Sequence, residues 1–146
     1  PSGWVKVQDR VGDTFRWKGE NVSAGEVRDH ICRLPNVHDA VVFGVKLGGY
    51  DGQAGAAGIT LHDTSSAAET ELMTKLYGEL KKKGVPSYAA PRLVRLMGMY
   101  LKGDLVKKSW DPRSGEGDKL YWLNGEKYEK LDASSWSSIE AGQAKL

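Results

Sequence analysis

Two runs, Val37–Leu47 (VHDAVVFGVKL) and Ala54–Leu61 (AGAAGITL), constrain the fold of this 146-residue chain most. The first is continuously apolar from Ala40 to Phe43, which predicts a buried strand. Gly48-Gly49-Tyr50-Asp51-Gly52 follows, a turn rich in residues that accept positive φ. The second run pairs back as the next strand. Its small residues imply that another element packs closely on it.

Helical patterns flank this pair. Ser23 is a suitable N-cap with Glu26 three residues on, the capping-box spacing. Val27, Ile31 and Leu34 then recur on one helical face, and Pro35 stops the helix. Ala67–Lys83 repeats the pattern with Leu72, Leu76 and Leu80, joined by Met73 and Tyr77. Gly84 and Pro86 end it. Arg92–Met97 (RLVRLM) predicts a third core strand.

Ahead of these elements, Trp4–Val7 and Thr14–Trp17 read as two strands of an N-terminal hairpin, and Lys18–Asn21 turns the chain. Beyond Met97, residues Gly98–Gly117 read as loop. Asn124-Gly125, between Tyr121-Trp122-Leu123 and Tyr128, is the strongest hairpin signal in the chain. Ser134–Leu146 predicts a closing helix anchored by Trp136 and Ile139. The fold class is therefore α+β: a small mixed sheet with a β-α-β-β-α-β core, two packed helices, an N-terminal hairpin, and a C-terminal hairpin plus helix.

Composition excludes several functions. The net charge of +2 gives little affinity for nucleic-acid phosphates, although the tryptophans and tyrosines supply stacking surfaces. The basic run Lys81-Lys82-Lys83 suits the C-terminal end of a helix. A single cysteine, Cys32, reads as a small core filler, forms no internal disulfide and favours an intracellular compartment. His30, His38 and His62 lack metal-site spacing, so no metal is expected. No apolar run approaches membrane-spanning length. Gly52–Gly58 (GQAGAAG) resembles a phosphate loop only superficially, because no helix follows it. The sequence opens at Pro1 without a methionine, and a fragment or processed piece of something longer is expected.

The densest chemistry lies in Asp9–Ser23, DRVGDTFRWKGENVS. Arg10, Arg16 and Lys18 supply cations, and Gly12 and Gly19 supply backbone joints. Alternation along a strand places Arg16 and Lys18 on one face and Phe15 and Trp17 on the other. Outward cations on a half-buried hairpin suit a phosphorylated ligand. An ordinary exposed strand fits the same spacing.

This stretch resembles the hinge region of fatty acid transport proteins and very-long-chain acyl-CoA synthetases, members of the adenylate-forming superfamily. The resemblance continues through Glu26-Val27, Val42-Phe43-Gly44-Val45, Asp51-Gly52-Gln53-Ala54-Gly55, Tyr88-Ala89-Ala90-Pro91-Arg92, Leu120-Tyr121-Trp122 and Ala141–Leu146. The later third looks closest to fungal members.

The resemblance implies that residues 1–146 form the small C-terminal domain, which swings between an adenylate-forming and a thioester-forming pose. The large N-terminal adenylation domain, with its ATP and acyl sites, would be the missing partner. Fatty acid and CoA would be substrates, and ATP, Mg2+ and CoA would serve the whole enzyme; none is expected to bind this chain tightly alone. By position, Arg10 matches a nucleotide-binding arginine that contacts the ribose. Gly12 and Asp13 match the hinge, and Arg16, Lys18 and Gly19 match the face presented to adenylate or pantetheine. Gly12 departs from the aspartate or lysine of many relatives, although the transport-protein branch shares the Gly-Asp pair. The family's catalytic lysine motif is not found after the third core strand, where the sequence is several residues shorter; Met99 falls near its position. Lys102 is the nearest candidate, and an ordinary surface lysine is the alternative. Ala144-Lys145-Leu146 is a conservative variant of a peroxisomal address, with the cytosolic face of a membrane as the other expected location. A second functional class remains: a non-catalytic interaction module derived from that domain.

Overall fold

The computed structural model describes residues 14–47, 49–50, 52–97, 110, 119–143 and 146. The predicted strand Trp4–Val7 lies outside the described residues, as do Arg10, Gly12, Asp13, Met99, Lys102, Ala144 and Lys145.

A five-stranded sheet runs in the order β3-β4-β5-β6-β7, with β3 Val37–Lys46, β4 Gln53–Leu61, β5 Leu93–Met97, β6 Lys119–Asn124 and β7 Lys127–Lys130. β4 and β5 are parallel, and the other neighbours are antiparallel. The helices are α1 (Ala24–Cys32), α2 (Ser66–Lys82) and α3 (Ala133–Glu140). Among the described residues, a second sheet is made of β1 (Thr14–Trp17) and β2 (Glu20–Ser23). The expected α+β class, with its mixed sheet and C-terminal hairpin, is what the chain adopts; Thr14–Trp17 is a strand as expected, but its described partner is Glu20–Ser23, where the sequence reading paired it with Trp4–Val7.

Local chemistry sets the helix boundaries. The Ser23 side chain accepts from the Glu26 amide at 3.4 Å, which satisfies one free donor of α1. Ser65 caps α2 through the Ala68 amide, and Asp132 caps α3 through the Ser135 amide. These last two caps were not read from the sequence. Val27 and Ile31 of α1, Leu72, Leu76 and Leu80 of α2, and Trp136 and Ile139 of α3 are buried. Each helix thus faces the core along the stripe its periodicity predicted.

The turns of both hairpins differ from expectation, the first by closing more tightly and the second by a shift of one residue. β1 pairs with Glu20–Ser23, so Lys18-Gly19 alone make the turn. Lys18 (φ 50°) and Gly19 (φ 86°) both take the left-handed conformation, as the two-residue turn matching strand twist requires. Asn21, expected in the turn, is instead a ladder residue opposite Arg16, and Val22 pairs with Phe15. In β6–β7, Asn124 pairs with Lys127 and the turn is Gly125-Glu126, one residue later than expected, with Gly125 at φ 71°.

The small residues of β4 have their expected partner. Gly55 and Gly44 are directly opposite across β3–β4. A Cβ on Gly55 would lie 3.2 Å from Phe15 Cζ, and one on Gly44 would lie 3.0 Å from Phe15 Cβ. The glycine pair makes a bare patch on the sheet, and Phe15 of the first hairpin occupies it.

Candidate functional site

The first hairpin is a two-faced device. Along β1 burial alternates: Phe15 and Trp17 are buried, and Thr14 and Arg16 are exposed. Two strands alone bury too little to hold their shape, so the inward aromatics set the hairpin's position. Trp17 is 1% exposed. Its ring lies 5.7 Å from that of Tyr50, and the Arg92 guanidinium sits 6.0 Å from its centroid. Such contacts combine apolar burial with attraction of a cation to the ring face.

The backbone makes the same junction. Trp17 bridges to Gly52, whose φ is +82° and whose Cβ, if present, would stand 2.3 Å from the Arg16 carbonyl oxygen. Gly52 is therefore glycine for both reasons at once. Arg92 is held in turn: its amide donates to Gly55 O at 2.7 Å and its Nη2 to Ser87 O at 2.8 Å. Burial lowers the Arg92 pKa from its ordinary value. Beside it, the buried Tyr128 hydroxyl donates to Pro91 O at 2.7 Å. Burial drives the Tyr128 pKa far above 10.0.

The outward side carries the cations, but not as one strand face. Arg16 points out from β1, and its Nη2 donates to Gly19 O at 3.0 Å. Lys18 is a turn residue, not a strand residue, because the chain reverses at that position. Its side chain bends back, with Nζ 5.2 Å from the Trp17 ring centroid and donating to Leu146 O at 2.7 Å. Arg16, Lys18 and Gly19 are thus brought together by the turn. The structure does not place Arg10, Gly12, Asp13 or Lys102 relative to them, since these lie outside the described residues.

Sequence reading missed the supports of this edge: Tyr50, Gly52 and Arg92. The glycine-rich turn and the Pro91-Arg92 pair were visible, but their convergence on Trp17 was not. Among the described residues, no group of three His, Cys, Asp or Glu side chains could hold a metal. His38 and His62 touch edge to face at 4.9 Å. Cys32 is half-buried against the core. No described helix is long and apolar enough to cross a membrane.

No family model matches the sequence. It is 38% identical to the very long-chain fatty acid transport protein of Saccharomyces cerevisiae, over 94% of this chain and 22% of that protein. It is 37% identical to long-chain fatty acid transport protein 1 of Mus musculus, over 99% of this chain and 23% of the relative. Among solved structures, an o-succinylbenzoate CoA synthetase of Bacillus subtilis matches with a TM-score of 0.50 and 23% identity, over 69% of this chain and 21% of that one. That likeness concerns the fold. The chain spans less than a quarter of the length of these transport proteins, and over nearly all of its own length it is homologous to long- and very-long-chain fatty acid transport proteins.

Proposed function

We propose that this chain is the mobile C-terminal domain of a fatty acyl-CoA synthetase of the transport-protein type. The whole enzyme would use ATP to join a long- or very-long-chain fatty acid to CoA. The observation that carries the reading is the hairpin at residues 14–23. Its inward face is locked by Phe15 and Trp17, and its outward side presents Arg16 and Lys18. An edge fixed from behind and cationic in front suits closure over a phosphorylated ligand. The solved o-succinylbenzoate synthetase was captured with an acyl-adenylate in one structure and with a CoA-type product analogue in another. Both ligand types carry phosphate groups.

In this reading Arg16 and Lys18 orient adenylate or CoA phosphates by charge-assisted hydrogen bonds, and Gly19 lets the backbone approach closely. Arg10 would contact the nucleotide, and Gly12-Asp13 would form the hinge. Lys102 would offset negative charge developing at the transferring group. Mg2+ would be held with ATP on the partner adenylation domain.

The test uses two proteins. The 146-residue chain alone should give no fatty-acid-dependent exchange between ATP and pyrophosphate, whereas the longer protein that carries it should. Robust exchange by the short chain would sink the proposal. In the longer protein, a joint Arg16→Ala and Lys18→Ala change should slow transfer to CoA roughly tenfold or more, the equivalent of one charged hydrogen bond. Adenylate formation should change less. Equal loss in both half-reactions would remove the CoA-facing role.

A further inference from the structure

A second surface lies away from the hairpin. α1 begins at Ala24, directly after β2, and ends at Cys32, and the chain then turns through Leu34-Pro35 into β3. Beyond that end of α1, one face of α2 is open. Ala68, Glu71, Leu72, Lys75, Leu76 and Glu79 line a groove of about 560 Å³, with Leu34, Pro35 and Asn36 on its other side. The α2 residues recur at the spacing of one helix face over about three turns, roughly 16 Å of axis. Most of the lining is apolar, and Leu34, Leu72 and Leu76 are themselves buried. One end is fixed by a double hydrogen bond: Asn36 Nδ2 donates to Asp63 O at 2.9 Å, and the Asp63 amide donates to Asn36 Oδ1 at 2.6 Å. Three lining carboxylates, Asp63, Glu71 and Glu79, accompany one ammonium, Lys75, which donates to Glu71 Oε1 at 2.8 Å. His62 is the other ionisable group of the lining. The Ser65 amide donates to Asp63 Oδ1 at 2.9 Å, which lowers the Asp63 pKa and keeps that carboxylate ionised. The rim is thus anionic in a chain of net charge +2, and opposite in sign to the hairpin's Arg16 and Lys18.

We propose that this groove docks an amphipathic helix of a partner protein, one that presents leucine-like side chains to Leu34, Leu72 and Leu76 and lysine or arginine to Asp63, Glu71 and Glu79. Its shape, its walls and its charge select that occupant. An apolar lining that follows one helix face matches a second helix laid alongside α2. The backbone groups of the α2 wall are bonded within the helix, so they offer an extended peptide no ladder to join. A helix satisfies its own amides and carbonyls and needs none. The carboxylate rim attracts cations and opposes a fatty acid head group or an anionic lipid surface, which would meet like charge. Apolar burial then supplies the affinity, and the rim sets register and choice of partner.

The test uses a fluorescein-labelled synthetic peptide of about 15 residues, long enough to run along the groove, with leucine on one helical face and lysine on the other. The controls are the same leucine face with glutamate in place of lysine, the leucine and lysine residues in scrambled order, and oleate. Fluorescence anisotropy at fixed ionic strength measures binding to the 146-residue chain and to the longer protein that carries it. We expect the amphipathic lysine peptide to bind both, and its amide shifts in the short chain to fall on Asn36, His62, Leu72 and Leu76. Joint Glu71→Gln and Glu79→Gln changes should weaken binding about fivefold, the scale of losing two exposed ion pairs. Ala68→Lys sets a long cation in the groove and should weaken binding about tenfold or more. All three positions are exposed or half-buried on α2, so the variants should melt with the parent. The proposal is overturned by absence of binding, by equal binding of the glutamate or scrambled peptide, by displacement with oleate, by shifts centred on the hairpin, or by unaltered affinity in either variant. Binding to the short chain alone also overturns it, because the rest of the protein would then cover the groove. No readout involves ATP or CoA, so failure of the docking site and failure of the enzyme reading are told apart.

Discussion

The two hairpins of this protein have similar lengths and similar turns but opposite fates. β6–β7 joins the main sheet: β6 pairs with β5, and Leu120, Leu123 and Tyr128 are buried. Among the described residues β1–β2 pairs with itself, apart from the single Trp17–Gly52 bridge, and rests on β3 and β4 through Phe15 and Trp17. The first case extends a ladder, so backbone hydrogen bonds and side chains share the stabilisation. The second depends on a few aromatic anchors and on glycines that let them approach. An element held mainly by side chains leaves its other face free for a ligand, whereas one stitched into a sheet is committed to structure.

The comparison can be broken most sharply at Trp17. Trp17→Ala should cost about 3–5 kcal/mol, because a fully buried indole is lost from the junction. Urea denaturation of the chain measures it. A cost below about 1 kcal/mol would show that the hairpin does not depend on its anchors.

The turn glycines give the next contrast. Gly52→Ala should cost about 2 kcal/mol or more, from positive φ together with collision at the Arg16 carbonyl. Gly125→Ala meets open space and carries only the φ strain, about 1 kcal/mol. Equal costs would mean that the close approach at Gly52 contributes nothing.

Tyr128→Phe probes the stitched hairpin. It leaves Pro91 O without its buried donor and should cost about 1–3 kcal/mol near neutral pH. The effect has a definite pH sign. Burial raises the Tyr128 pKa above 10.0, so its neutral form is favoured in the folded chain. That contribution is fully present below the unfolded pKa and is lost as pH rises above it toward the folded value. The stability gap between the parent and Tyr128→Phe should therefore narrow from about pH 9 to 11. A gap constant through that range would show that the phenol ionises equally in both states.

The smallest effect is expected at Lys18. Lys18→Asn should move the denaturation midpoint by less than the equivalent of about 0.5 kcal/mol, since an exposed side chain is exchanged for one that suits the turn. A large loss would make Lys18 a structural residue of the hairpin and not a presented cation.

The helices were legible because their signals are local. Ser23 with Glu26, the Val27–Ile31–Leu34 stripe and the Leu72–Leu76–Leu80 stripe each lie within a few turns of chain. The hairpin at Asn124-Gly125 was legible in kind but shifted by one residue, because Gly125 can occupy the first turn position as well as the second. The first hairpin was harder. Asn21 has weak strand propensity, and only pairing of Val22 with Phe15 over the core makes β2 a strand.

By itself the sequence determined the α+β order of elements, the helix faces, the density of cation and ring between Asp9 and Ser23, and the closeness of packing on β4. Periodicity, capping and side-chain size act over short separations and need no knowledge of the fold. Only tertiary structure decided that Phe15 fills the Gly44–Gly55 patch, that Arg92 and Tyr50 enclose Trp17, and that Lys18 turns back to meet Leu146. Those contacts join residues tens of positions apart. Their geometry follows from how the sheet, hairpin and final helix are stacked, which no local spacing encodes.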